Sequence, residues 1–391
     1  MPLIFLVAGE PSGDTLGAKL MKSLKKQTKD KISFSGIGGN RMEEQGLKSM
    51  FPMDELSVMG IAEVLPKIPR LLGRINETAA AIARLRPACV VTIDSPDFNF
   101  RVAKRLKGPK KNKGIPIVHY VAPSVWAWRP GRAKKISRFL DHLLTLLPFE
   151  PPYFEKEGLP TTFVGHPVIE SGAAKGNGPE FRKRHGFAPD DEIISILPGS
   201  RLSEVSRLHR IFGETLFMLK KTHPNLRAVV PAAGPVIIAV RRMAGEWPIP
   251  TLIVESDQEK FDAFAASNVA LAASGTVALE LAVAGTPTVI AYKTNILTAV
   301  IAKILVKARF ANLINLVLDR DAIPEFLQSA CRPEFLSAAL EDLLRDEGRR
   351  KNQAAAYHEA LKQLTPKGPS PADQAAKTVL DVISQHRKEG D

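Results

Sequence analysis

Apolar residues along this chain fall in short continuous runs, each ending in a turn and followed by apolar residues at helical spacing. Runs of about four to eight such residues mark strands covered on both faces, as in a parallel sheet flanked by helices. The pattern predicts strands at 3–8, 32–37, 88–93, 115–121, 142–147 and 161–164. Residues 170–178, rich in small side chains, read as a linker. The rhythm then restarts, with strands predicted at 193–197, 226–231, 251–254, 269–273 and 287–291. From Glu334 onward the spacing is helical, and the stretch 372–385 is expected to cross back to the first half. The predicted fold class is therefore α/β, two similar halves with a cleft between them. The expected division is 1–169, 170–365 and a C-terminal helix in 366–391 that packs on the first domain.

The stretch with most chemical content follows the run 269–273. It reads Ser274-Gly275-Thr276, then a helix carrying Glu280 about one turn further on. The unpaired N–H groups and macrodipole at such a helix start favour phosphate. Gly275 allows close approach to the backbone, and Ser274 or Thr276 is expected to cap the helix. Glu280 is placed to accept hydrogen bonds from a ribose. Taken alone, the stretch also describes an ordinary capped helix.

Other strand ends carry candidates of the same kind, because residues just past strand carboxyl ends line the ligand crevice of open α/β sheets. Gly9-Glu10-Pro11-Ser12-Gly13-Asp14 follows the first run without a G-x-G-x-x-G fingerprint, so a dinucleotide is not indicated. Ser12 and Asp14 serve there as caps or as substrate contacts. Asp94-Ser95-Pro96-Asp97-Phe98-Asn99 brings two carboxylates and an amide to a strand end. These are candidate acid–base groups, although the same residues favour turns. Ser124, Trp126 and Trp128 precede Arg129, Arg132, Lys134 and Lys135, a pattern suited to a sugar- or phosphate-binding wall or to packing under the next helix. Gly199-Ser200-Arg201 closes the first strand of the second half. The segment 56–74 is mostly apolar, broken by Pro66 and Pro69 and edged by Lys67, Arg70 and Arg74. It reads either as a bent core segment or as a greasy lip at a membrane interface formed by Val58, Met59, Ile61, Val64, Leu65, Ile68 and Leu72.

Composition narrows the choice of partners. Across 391 residues the formal net charge is +13, which favours anionic partners: nucleic acid, an anionic membrane surface or phosphorylated substrates. Residues 101–113 alone hold seven Lys or Arg, expected to form a solvated face near phosphates or lipid headgroups. Aromatic residues are only 6% and no nucleic-acid module is evident, so no nucleic-acid partner is expected. The two cysteines, Cys89 and Cys331, lack metal-ligand spacing and suit a reducing cytosol. The start lacks the basic leader of a signal peptide, and no apolar run reaches the roughly 18 residues of a spanning helix.

Read together, the motifs resemble the lipid-A-disaccharide synthase family of two-Rossmann, GT-B-fold glycosyltransferases. The resemblance rests on Val7–Asp14, Val58–Ile61, Ile93–Asn99, His119–Trp128, Leu197–Arg201, Ala273–Thr276 with Glu280, and Asn315. It covers nearly the whole chain, with departures at Pro11, Ser95 and Ile314. It implies an inverting transfer from UDP-2,3-diacylglucosamine to the 6-hydroxyl of 2,3-diacylglucosamine 1-phosphate, releasing UDP, in lipid A biosynthesis. The implied partners are acylated glucosamine lipids, UDP and an anionic membrane surface, with an oligomer allowed. No metal or other cofactor is expected, and no Asp-x-Asp motif stands at a strand end. The implied location is cytoplasmic, peripheral on the inner face of the inner membrane.

On this reading the diphosphate sits at Ser274-Gly275-Thr276 and Glu280 holds the ribose. Arg201 neutralises the departing UDP beside Gly199 and Ser200, and Asn315 and Gln328 contact donor sugar or phosphate. Asp94 is the general base, with Asp97 as support or second choice; Ser12, Asp14, Asn99, Ser124 and Trp126 belong to the acceptor loops. The rival readings are another UDP-sugar enzyme of this fold, a 2-epimerase or a different lipid glycosyltransferase, and more remotely a nucleic-acid-binding protein.

Overall fold

A computed structural model describes residues 1–56, 68–107, 114–232, 234–295 and 308–390. It divides into two units, residues 1–167 with 364–391, and residues 168–363.

Unit 1 is built on a six-stranded, wholly parallel sheet in the order β2-β1-β3-β4-β5-β6. The strands are β1 Leu3–Ala8, β2 Ser33–Ile37, β3 Cys89–Ile93, β4 Ile117–Tyr120, β5 His142–Thr145 and β6 Thr161–Phe163. The central strand β3 is buried at every position, which is why it reads as an unbroken apolar run instead of an alternating one. One face is covered by a core including Phe5, Ile75, Ile82, Phe100, Leu143 and Phe154. The other packs Leu6, Leu20, Val91 and Tyr120 against Ala375, Ala376 and Val379 of the C-terminal helix Pro371–Gly390. That helix lies along the helix Pro11–Thr28, joined by Lys26–Asp373 at 3.3 Å and by a short Ser23–Asp373 hydrogen bond.

Unit 2 repeats the plan with the order β12-β11-β10-β7-β8-β9, again all parallel. Its strands are β7 Glu192–Leu197, β8 Leu226–Pro231, β9 Thr251–Val254, β10 Val269–Ala273, β11 Thr288–Tyr292 and β12 Glu325–Leu327. Ile194, Ile196, Leu271 and Val289 pack against Leu208, Phe212, Leu336 and Leu340 of two covering helices, Leu202–Lys220 and Pro333–Arg345.

Two features go beyond the apolar pattern. The stretch 170–178, read as a linker, lies just past the division between the units at Pro167 and Val168 and carries local structure: a 3-10 turn at Ala173–Lys175, with Asn177 capping the helix Gly178–Arg184. Gly176 and Gly178 lie so close to the Phe261 and Ala265 carbonyls that no side chain fits. The edge strand β12 gave no strand signal, because it is three residues long and follows Pro324.

Candidate functional site

In unit 1 the functional side chains gather where β1, β3 and β4 end side by side. The register sets Ala8 beside Ile93 and Ile93 beside Tyr120, so the turns after these strands are neighbours. Asp94 and Ser95 both adopt left-handed backbone, at φ +50° and +42°. Such conformations cost about 1–3 kcal/mol each for non-glycine residues and persist only where the surroundings enforce them. The enforcement is visible: Asp94 N–H donates to the Tyr120 carbonyl at 2.9 Å, and Asn99 Nδ2 donates to the carbonyls of Ile93 and Asp94 at 3.2 and 2.7 Å. Gly9 faces this turn so closely that a Cβ would run into the Ser95 side chain. The turn presents the half-buried Asp94 carboxylate beside the exposed Ser12, whose Oγ donates to Asp94 Oδ2 at 3.3 Å.

The other acceptor-loop candidates separate by what their side chains already hold. Asp14 is buried, and its carboxylate accepts from the N–H groups of Gly39, Arg41 and Met42 at 2.8–3.1 Å. It anchors the start of the helix Asn40–Glu44, the capping role of the two expected for it. Asn99 likewise serves the turn backbone, with its side chain buried. Asp97 is the opposite case: its side chain is 97% exposed, and its nearest cation is Arg132 at 3.7 Å. Trp126 donates through Nε1 to Glu150 Oε1 at 3.2 Å, while Leu147 N–H donates to Oε2 at 3.1 Å. Burial pushes the Glu150 carboxyl up to about 7, with the two hydrogen bonds pulling the other way. Sequence reading missed Glu150, since its partner lies 24 positions away and only the adjacency of strand ends brings them together. Ser124 is exposed, and its carbonyl accepts from the N–H groups of Ala127 and Trp128. Behind the turn, burial drives the His119 imidazole down to about 3, helped by the Arg132 charge; its Nδ1 bonds Thr92 Oγ1 at 2.8 Å.

The apolar lip lies almost wholly outside the described residues: this holds for Val58, Met59, Ile61, Val64 and Leu65, and for the side chain of Ile68. Leu72 is described and 44% exposed on the helix Ile68–Leu85. Arg74 and Arg70 of that helix clasp Glu55 at 2.8 and 2.7 Å and hold its carboxyl below the usual range.

In unit 2 two strand-end loops also lie side by side, because β7 and β10 are paired through Leu197 and Ala272. The first is Gly199-Ser200-Arg201. Gly199 has φ +115° and no room for a side chain against Glu204. Glu204 reaches back from the helix Leu202–Lys220 to accept from Ser200 N–H and Arg201 N–H at 3.1 and 3.3 Å and from the Arg201 guanidinium at 2.9 Å. Arg201 is 56% exposed.

The second loop is Ser274-Gly275-Thr276, opening the helix Thr276–Ala284. Neither expected cap forms: Ser274 Oγ turns away to donate to the Ala311 carbonyl at 3.0 Å, and among the described residues no side chain caps the helix start. Gly275 and Thr276 are exposed there, and Gly275 takes φ +150°, ψ −165°, a conformation essentially reserved for glycine. The helix start therefore presents uncapped N–H donors to the surface.

One turn on, Glu280 is met by Lys260, whose Nζ lies 3.1 and 3.2 Å from the two carboxylate oxygens. Asn315 is fully buried, with Oδ1 accepting from the N–H groups of Ala322 and Ile323 and Nδ2 donating to the Ile323 carbonyl. Its side chain is thus engaged by its own loop. Gln328, at φ +52°, accepts through Oε1 from Thr294 N–H at 3.3 Å. Among the described residues no group of three or more His, Cys, Asp or Glu is placed to hold a metal ion.

Comparisons with known proteins agree with this architecture. The sequence model of the family described as lipid-A-disaccharide synthetase matches residues 4–379. A lipid-A-disaccharide synthase of Rhodospirillum centenum is 50% identical over 383 residues, covering 98% of this chain and 95% of the relative. One from Paramagnetospirillum magneticum is 50% identical over 391 residues, covering 99% of both. Among solved structures, the Methanocaldococcus jannaschii UDP-GlcNAc 2-epimerase, in complex with UDP-GlcNAc and UDP, superposes with a TM-score of 0.58 at 13% identity, covering 98% of this chain and 100% of that one. Acinetobacter baumannii MurG superposes at 0.57 with 15% identity, covering 98% and 99%. The fold is thus shared with epimerases and transferases alike, and the close sequence relatives choose between them.

Proposed function

Because the chain belongs to the lipid-A-disaccharide synthase family, we propose that its two units divide one glycosyl transfer: unit 2 holds the nucleotide-sugar donor, unit 1 the lipid acceptor and the base. The reaction joins UDP-2,3-diacylglucosamine to 2,3-diacylglucosamine 1-phosphate, giving the β-linked disaccharide 1-phosphate and UDP. The acceptor 6-hydroxyl oxygen attacks the donor anomeric carbon as the bond to the UDP oxygen breaks, so the α-linkage of the donor inverts.

The observation that carries the donor half is the pairing of an exposed, uncapped helix start at Gly275–Thr276 with Arg201 on the adjacent strand end. The helix N–H groups receive the diphosphate, and Arg201 exchanges its Glu204 partner for the oxygen on which charge builds as UDP leaves. Aimed donors of this kind supply several kcal/mol where charge develops. These donors do the work a metal ion does in other nucleotide-sugar enzymes. Glu280, steadied by Lys260, accepts from the ribose hydroxyls.

In unit 1 Asp94 takes the proton of the attacking hydroxyl. Its strained, braced turn and its Ser12 hydrogen bond support that role. Asp97, exposed and beside Arg132, is the second choice.

Both substrates carry acyl chains, so unit 1 meets them at the inner face of the inner membrane, through its cationic surface and the segment 58–72. Among the described residues no helix is long and apolar enough to cross a membrane. Co-sedimentation with anionic vesicles tests this, and charged substitutions at Met59 and Leu65 that leave sedimentation intact overturn it. The reaction itself is tested by incubating the purified protein with both lipids and seeking the disaccharide 1-phosphate by mass spectrometry; its absence overturns the reading.

A further inference from the structure

Unit 1 carries a groove of about 650 Å³ between the helices Pro96–Leu106 and Arg132–Ile136. Its floor is aromatic, with Phe100 and Phe139 at 5.7 Å between ring centroids. Its walls are cationic: Arg101, Lys104, Lys135 and Arg138 line it, and none has an acidic partner among the described residues. Arg132 lies over the Phe100 ring at 5.2 Å, and its only acidic partner among the described residues is the exposed Asp97 at 3.7 Å. Unpaired like charges held around an apolar floor repel one another, and an anion placed among them relieves that repulsion. Guanidinium groups there offer the forked geometry that matches phosphate oxygens.

The position of the groove says which phosphate. It begins at Pro96 and Asp97, two and three residues past Asp94. Two residues of chain reach no more than about 7 Å, a span of the same order as one sugar ring. The acceptor carries its reacting 6-hydroxyl, on the C5 branch, and its anomeric phosphate, on C1, on either side of the ring oxygen, so the two are separated by no more than about that span. The two substrates share the diacylglucosamine and differ at the anomeric position, where the acceptor ends in a phosphomonoester and the donor continues as a diphosphate into uridine. We infer that the mouth of this groove, through Arg101, Arg132 and Lys135, binds the anomeric phosphomonoester of the acceptor lipid and sets acceptor specificity. This rests on unit 1 being the acceptor side with Asp94 at the reacting hydroxyl.

The test uses the full chain in neutral-detergent micelles, with two acceptors: 2,3-diacylglucosamine 1-phosphate and the same lipid with a free anomeric hydroxyl. The variant is Arg101→Gln with Lys135→Gln, both exposed positions. The expected result is a rise of roughly tenfold or more in KM for the phosphorylated acceptor, the worth of about one charge-assisted hydrogen bond. KM for the unphosphorylated acceptor and for the donor stays unchanged, so discrimination collapses. The charge-preserving pair Arg101→Lys with Lys135→Arg restores it in part. An unchanged KM overturns the inference. So does an equal rise for both acceptors, or a rise seen only on anionic vesicles, which assigns the groove to bilayer headgroups. Failure of the functional reading looks different: the unsubstituted protein then makes no disaccharide from either acceptor.

Discussion

Lys260 Nζ lies within 3.2 Å of both carboxylate oxygens of Glu280, joining the helix Asp257–Ala266 to the helix that starts at Thr276. The pair is part-buried, at 22% and 20% side-chain exposure, and Lys260 also lies 4.7 Å over the Phe261 ring. This gives Glu280 one fixed orientation, with both oxygens on a single cation. Lys260→Met should release it and raise donor KM several-fold with a smaller change in kcat, while Lys260→Arg recovers most of the loss. Donor titrations monitored by calorimetry check this; equal effects on kcat and KM for donor and acceptor would point to general unfolding instead.

Asp94→Asn should lower kcat by about 10²–10⁴-fold, the usual contribution of a positioned base. UDP affinity should stay as it is, because every residue assigned to UDP lies in unit 2. Single-turnover rates alongside equilibrium UDP binding separate the two. Near-normal turnover would pass the role to Asp97.

Gly275→Ala adds a side chain where there is open space, so its penalty comes from the backbone alone. At φ +150° that penalty is about 1–3 kcal/mol, met either as lost stability or as a rearranged helix start. The expected outcome is a lower melting temperature together with weaker UDP binding. Binding at full strength would remove the helix start from the donor site.

Glu150 makes stability depend on pH. Its carboxyl titrates near 7 in the folded chain against an ordinary 4.5, so the folded state binds the extra proton between these values. Stability therefore falls as pH rises from about 5 to about 7 and levels off above, by roughly 3 kcal/mol if nothing relaxes. Glu150→Gln should abolish this slope and be more stable than the parent near pH 8. The buried imidazoles His119 and His166, both depressed by burial, lose stability as pH falls below about 6.5, in the opposite sense. They are common to both proteins, so the difference between two denaturation series isolates Glu150.

What the amino-acid order determined by itself is the class of fold and the location of its chemistry. Strands buried on both faces must be apolar throughout, so β1 and β10 were legible to the residue. Ligand loops must follow strand carboxyl ends, so Asp94, Arg201 and Thr276 were legible as candidates. What only tertiary structure decided is which polar side chains remain free to act. Asp14, Asn99 and Asn315 stand in the same motifs as the active candidates, yet each is occupied by backbone groups from 28 or fewer positions away. Ser274 is diverted to Ala311, Lys260 arrives at Glu280 from a neighbouring helix, and Glu150 finds Trp126 only because β4 and β5 are paired. A hydrogen bond is a matter of about 3 Å between particular atoms. Periodicity along a chain sets which face a residue occupies, but the partner across that gap comes from another segment, and only packing selects it.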